Sequence, residues 1–166
     1  MNKGLLSLRM FLPEDKEQIL DILTDNTVNK TYMLPEFAER ADAIPLFERL
    51  CALSHDNSRY VRCISAEGTA IGFLNDVVAE NSRIELGYVV HPAWQGKGYM
   101  TAALKIAITE LLESGFDTVI CGAFTENPAS IRIMEKCGML RQPETEVIEY
   151  REKSHICVYY AISKEK

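Results

Sequence analysis

The 166-residue chain contains no Cys-x-x-Cys pair, and its five cysteines (Cys51, Cys63, Cys121, Cys137 and Cys157) stand apart among apolar neighbours. An odd, scattered set argues against a disulfide framework or a zinc site and for reduced, buried thiols. No apolar run approaches the roughly 20 residues that a membrane-spanning helix needs. The N-terminus also lacks a basic segment followed by a long apolar one, so the expected location is the cytoplasm. Basic residues are in the minority, 18 Lys+Arg against 24 Asp+Glu, for a net charge of -6. Such a surface gains little from counterion release, which excludes nucleic acid as the expected main partner. Acidity can draw in a cationic ligand or serve solubility alone. Repeats, low-complexity tracts and linkers are missing too. With 47% hydrophobic and 25% charged residues, the chain has the composition of an ordinary globular protein. The expectation is one domain over residues 1–166, able to fold without metal or disulfide.

What is present alternates between two periodicities. Leu5 to Phe11 reads as a first strand, and Pro13-Glu14-Asp15 opens a helix carrying Ile19, Leu20, Ile22 and Leu23. Asn29 to Pro35 reads as a loop. A second helical stretch is expected from about Glu36 to Leu53, kinked or split at Pro45. Strands follow at Tyr60–Ile64, at Ala70–Leu74 continuing through Val78, and at Arg83–Val90, so the middle of the chain reads as an antiparallel meander. A long helix spans Tyr99–Ser114 with Ala103, Ile106, Ala107 and Leu111 inward, and Gly115 ends it. A buried strand at Thr118–Ala123 comes next. A helix from Asn127-Pro128 to Lys136 and strand-like stretches at Met139–Arg141, Val147–Tyr150 and His155–Ile162 close the chain. The order predicts an α+β (mixed α/β) fold with helices covering one mostly antiparallel sheet.

The segment Gln95-Gly96-Lys97-Gly98-Tyr99-Met100-Thr101 lies between a strand and the longest helix. Its glycines let backbone approach a ligand without an intervening Cβ. The helix start offers unpaired amides and the positive dipole end, which suit a phosphate or diphosphate. A tight strand-to-helix loop with no ligand is the plainer reading. A dinucleotide fingerprint would need glycine where Thr101 stands, and a Walker A loop would need Ser or Thr after Lys97, where Gly98 stands.

The stretch Gln95-x-x-Gly98 resembles the acyl-CoA diphosphate loop of the GNAT superfamily of N-acetyltransferases. The run from Glu85 to Leu104 is similar to the RimJ/RimL-type (ribosomal-protein alanine acetyltransferase) branch. Asn127-Pro-Ala-Ser130, continuing to Lys136-Cys-Gly138-Met139, resembles the family's second helical motif. Met100 and Met139 depart from the usual Gly/Ala and Phe. The resemblance spans roughly residues 5–162. It implies a twisted sheet of about seven strands with about four helices, acetyl-CoA as co-substrate, no metal, and direct attack by an amine with no acetyl-enzyme.

By match, main chain at Val89, Val90 and His91 would meet the pantetheine arm. Gln95, Gly96, Lys97, Gly98, Tyr99, Met100 and Thr101 would form the diphosphate site, with Met100 pointing away from the ligand. Asn127 would bind the CoA arm besides capping its helix. Because Met134 fills the slot where many relatives carry Tyr, Ser130 or water would protonate the departing thiolate, with a solvated first-turn serine as the alternative role of Ser130. Strand alternation groups Glu85 with Gly87 and Val89, and Glu85 is the expected base, acting through water. A cross-strand salt bridge is its alternative role, and His91 is a second base candidate with a turn contact as its alternative. Tyr32 and Met33 would shape the acceptor pocket or plug the core. The branch suggests a protein N-terminus as acceptor, with a polyamine, amino acid or aminoglycoside as the small-molecule alternative. A non-catalytic acyl-CoA sensor is the alternative from another class. The expected assembly is a monomer or homodimer.

Overall fold

The computed structural model describes residues 5–165. Seven strands form one sheet in the order β1-β2-β3-β4-β5-β7-β6: β1 (Leu6–Arg9), β2 (Val61–Ala66), β3 (Thr69–Glu80), β4 (Arg83–Val90), β5 (Thr118–Phe124), β6 (Leu140–Tyr150) and β7 (Lys153–Ser163). β4 and β5 run parallel, while β1–β2, β2–β3, β5–β7 and β6–β7 are antiparallel. Four helices accompany them: α1 (Lys16–Leu23), α2 (Ile44–Ser54), α3 (Tyr99–Ser114) and α4 (Pro128–Lys136). This is the α+β, GNAT-like architecture the residue pattern implies. None of the described helices is long and apolar enough to cross a membrane.

The chain divides into two compact units. One runs to Asn75 and takes in Tyr88–Ala103; the other holds Asp76–Gly87 and everything from Leu104 onward. The first unit buries Phe11, Ile19, Ile22, Leu23, Phe47, Val61 and Phe73 in a common core, with Val89 among them. Phe11 meets Phe47 edge-on and Phe73 at a tilt, with ring centroids 6.4 and 6.1 Å apart. Arg9 clamps the buried Asp15 through two hydrogen bonds of 2.7 and 2.8 Å, and the Leu12 amide donates to the same carboxylate. Burial pushes the Asp15 pKa up, but the Arg9 and Leu12 bonds outweigh it and hold the group below the ordinary carboxylate range.

Gly72 on β3 is fixed by close approach rather than by a turn. A Cβ there would stand 2.2 Å from the Val89 carbonyl oxygen, so only glycine lets β3 meet the end of β4. In the second unit, α3 buries Leu104, Ala107, Ile108 and Leu111, which recur at helical spacing. Ile106, expected inward, is exposed because the buried stripe runs through residues 104 and 108 instead.

Three sequence expectations need correction. Residues 36–39 are not helical: Glu39 is extended and begins a short 3-10 turn, Arg40–Ala43. Pro45 does not kink a helix; it sits in the first turn of α2, where a missing N–H costs nothing. The last three strand-like stretches are two strands, because β6 is continuous from Leu140 to Tyr150 with a register shift between Arg141 and Thr145.

Candidate functional site

The loop between β4 and α3 is held from within. Gln95 donates from its side-chain amide to the Val90 carbonyl at 3.2 Å. Trp94 meets Tyr99 edge-on at 5.4 Å, and the Lys97 ammonium lies 5.5 Å from the Trp94 ring centre. Gly96 and Gly98 take φ of +72° and +81°, the left-handed region that glycine enters without steric cost. A Cβ added at Gly96 would meet nothing within 4 Å, so the loop's outer side opens to solvent. Met100 is buried at 5% exposure, which puts its side chain in the core rather than over the loop. The chemistry of such a loop fits a diphosphate: successive main-chain donors at a helix start, two positions without Cβ, and one lysine.

His91 is engaged through its ring Nδ1 and its main-chain N–H. Its ring Nδ1 accepts from the Ala93 N–H at 3.0 Å, and its own N–H donates to the Ile71 carbonyl at 2.7 Å. The turn contact therefore occupies Nδ1 of the ring expected as a second base. The amide expected to face a pantetheine arm is bonded to β3. Val89 and Val90 are buried, so what they can offer a ligand is main chain.

Tyr32 donates from its hydroxyl to the Asn75 Oδ1 at 2.5 Å and packs edge-on against Phe73 at 5.7 Å. Met33, next in sequence, is 54% exposed. Both line a cavity of about 230 Å³ in the first unit, so Tyr32 is a cavity wall and a core contact at once.

In the second unit, the pairing Glu85↔Ile120, Ile120↔Ala161 and Gly122↔Tyr159 places Glu85, Gly122 and Tyr159 on one face of the sheet. Glu146, opposite Cys157, joins them. The Tyr159 hydroxyl donates to the Glu146 carboxylate at 2.6 Å. A Cβ on Gly122 would stand 2.8 Å from the Tyr159 ring and 3.0 Å from the Cys157 sulfur, so glycine lets the ring lie across β5. Burial raises the Glu85 pKa, and the like charge of Glu146 raises it further. The charged neighbour of Glu85 is thus an anion rather than the cross-strand cation of a salt bridge. Burial, then the bond to Glu146, pushes the Tyr159 phenol up, which keeps it a proton donor. Glu146 and Tyr159 were not evident from sequence. The signal available was Gly122, a glycine inside a strand, which marks close approach by another group.

Asn127 caps α4, its side-chain oxygen accepting from the Ser130 N–H at 3.2 Å. With Oδ1 turned to the helix, the Nδ2 donors belong to the other side of the amide. Ser130 is buried at 8% exposure in the first turn of α4, and Met134 is fully buried. Glu85, Asn127 and Ser130 belong to the second unit. Residues 89–101, with Tyr32 and Met33, belong to the first. All five cysteines are free thiols. Burial raises those of Cys63 to about 12 and Cys137 to about 11, far from nucleophilic thiolates. Among the described residues no three His, Cys, Asp or Glu side chains gather as a metal site.

A glycine loop of this kind, after a strand and at the start of the longest helix, is the arrangement that the acyl-CoA diphosphate loop of an acyltransferase would need. The chain belongs to the acetyltransferase (GNAT) domain family, whose model matches residues 6–140. It is an acetyl-CoA-dependent N-acetyltransferase. A Bacillus subtilis (strain 168) protein named "Putative ribosomal N-acetyltransferase YdaF" is 25% identical over 170 residues, covering 96% of this chain and 91% of that protein. RimL, a ribosomal L7/L12 alpha-N-protein acetyltransferase solved with coenzyme A, superposes with a TM-score of 0.83 at 15% identity over 96% of this chain and 94% of its own. Spermidine N-acetyltransferase from Vibrio cholerae, solved with CoA and spermine, gives 0.80 at 16% identity over 96% of each chain. These two likenesses are of fold.

Proposed function

We propose that the chain transfers the acetyl group of acetyl-CoA to the free α-amine of a protein N-terminus, by direct attack while both substrates are bound. The observation that carries the reading is the pair of left-handed glycines, Gly96 and Gly98, bracketing Lys97 with Met100 turned into the core. Main chain from Gly96 to Thr101 holds the diphosphate, Gln95 bracing the loop through its bonds to Pro92 and Val90, and Asn127 holds the arm that follows it. Acetyl-CoA supplies an activated thioester. What the protein must add is a proton acceptor for the ammonium, a fixed approach, and a proton for the thiolate.

Glu85 takes the ammonium proton through a water. Its raised pKa suits that role, since a base works best when its pKa lies near the working pH. Ser130 donates to the departing thiolate from the first turn of α4. The main chain of Val89 and Val90 aligns the pantetheine arm, with an N–H near Val89 facing the thioester oxygen. The unreactive thiols fit a reducing cytoplasm.

The name of YdaF and the fold shared with RimL support a protein acceptor. The fold shared with spermidine N-acetyltransferase keeps a polyamine as the competitor to be tested. Mass spectrometry after incubation with acetyl-CoA should place a single acetyl group on the α-amine of short unblocked peptides, and none on peptides whose N-terminus is blocked. Acetylation of spermidine alone would assign the chain to small amines. No acetylated product from any acceptor would make it an acyl-CoA sensor.

A further inference from the structure

Two carboxylates of the second unit share a sheet face but stand in unlike surroundings. Alternation sets Glu85 on the face of Ile120 and Gly122, and the pairing of β5 with β7 and of β7 with β6 brings Tyr159 and Glu146 to that face. Glu146 lies on the edge strand and is exposed, yet its carboxylate accepts from the Tyr159 hydroxyl at 2.6 Å. The Tyr159 ring is itself held, because it lies across Gly122, where a Cβ would stand 2.8 Å from it. Glu85 is half-buried, and among the described residues no hydrogen bond or ion pair reaches its carboxylate.

These surroundings divide the work between the two acids. A carboxylate that accepts a hydroxyl's hydrogen bond is served in its charged form, so Glu146 acts as a standing anion. Burial and that like charge both favour a Glu85 that has taken up a proton. Burial pushes up the Cys121 and Cys157 thiols and the Tyr159 phenol, so the titratable neighbours from β5 and β7 stay neutral. The residues that β5 turns to this face, Thr118, Ile120, Gly122 and Phe124, carry no charge. Arg83 shares the face two residues back on β4 and is exposed, and His155 at the far end of β7 is paired with Glu126 at 2.8 Å. Two acids in unlike surroundings let one site keep a resident charge beside a group that exchanges protons.

Resting on the acetyl-transfer reading above, we infer that Glu146 and Tyr159 are positioning residues of the transfer: Tyr159 fixes the Glu146 carboxylate, and that fixed anion keeps Glu85 the acid that exchanges a proton with the acceptor amine. Both act through Glu85 and leave the transfer chemistry to Glu85 and Ser130.

The test uses the full chain, acetyl-CoA and a short unblocked peptide, or spermidine should that be the acceptor turned over. At each pH the kcat/KM of a variant is divided by the wild-type value, so the acceptor's own ionisation cancels. Without the Glu146 charge, Glu85 gives up its proton at lower pH. In Glu146→Gln the ratio should therefore rise at least about twofold from about pH 8 to about pH 5, the scale of one charge acting through partly hydrated space. High salt should shrink the rise. Tyr159→Phe, which keeps the ring over Gly122, should give a smaller rise in the same direction. The double variant should match Glu146→Gln alone, because Tyr159 acts through Glu146. A ratio flat with pH would leave Glu146 an ordinary surface residue of β6, and additive effects would separate Tyr159 from it. Either result overturns the inference while acetyl transfer stands. An acid limb that survives in Glu85→Gln would remove the base, and with it this role for its neighbours. Turnover of neither acceptor would overturn both readings together.

Discussion

Replacing Gly98 by valine is expected to weaken acetyl-CoA binding at least about a hundredfold, with little change in the folded core. Gly98 holds φ at +81° in an exposed loop. A β-branched residue there either keeps that angle, at a cost on the order of 1–3 kcal/mol, or relaxes to another. Relaxation turns neighbouring amides away from the diphosphate, and each hydrogen bond to a charged oxygen is worth about 1.5–3 kcal/mol. Loss of two such bonds on relaxation passes the roughly 2.8 kcal/mol of a hundredfold change at 1.4 per decade. Calorimetric titration with acetyl-CoA checks it. Affinity unchanged in Gly98→Val would mean that the loop's backbone does not grip the ligand.

Glu85→Gln should lower kcat by about a hundredfold or more, the usual contribution of a positioned base. The pH profile should change as well. Glu85 has its pKa raised by burial and by Glu146, so the wild-type rate should fall on the acid side as the carboxylate takes up a proton. In the glutamine variant that limb should disappear, leaving a low, flatter profile. Stability should move the other way. A carboxyl whose folded pKa is raised contributes stability below its unfolded pKa and loses it as pH rises through the folded value. At neutral pH the wild type therefore carries an unfavourable buried charge that glutamine removes. Glu85→Gln should melt slightly higher than wild type at pH 7 and show no such gain near pH 4. A variant that melts lower at neutral pH would make Glu85 a structural residue.

How far the chain could be read from its letters depends on which residues set each element. β4, α3 and α4 were legible to the residue, because Pro128 and the positive-φ glycines Gly115 and Gly138 mark helix ends and alternation marks the strand. β6 was not. It is an edge strand, exposed along most of its length, so neither face shows an apolar rhythm. Pro143, which cannot donate to a ladder, falls in its register shift. The region of residues 36–45 misled for a related reason, since hydrophobic spacing runs on through Phe37 while residues 36–39 form no helix.

The glycine loop between β4 and α3 was legible because its two glycines, Gly96 and Gly98, lie one residue apart in sequence. The cavity beside Tyr32 was not, because Tyr32, Arg49, Arg59 and Asn75 come from four separate segments. Glu146 and Tyr159 escaped for the same reason: strand pairing, not spacing, sets them on the face of Glu85.

The most direct measurement is a crystal structure of the chain with acetyl-CoA. It should show diphosphate oxygens about 3 Å from main-chain nitrogens between Gly96 and Thr101, with the Met100 side chain still in the core. A diphosphate seated elsewhere, or Met100 swung out across the loop, would contradict the account.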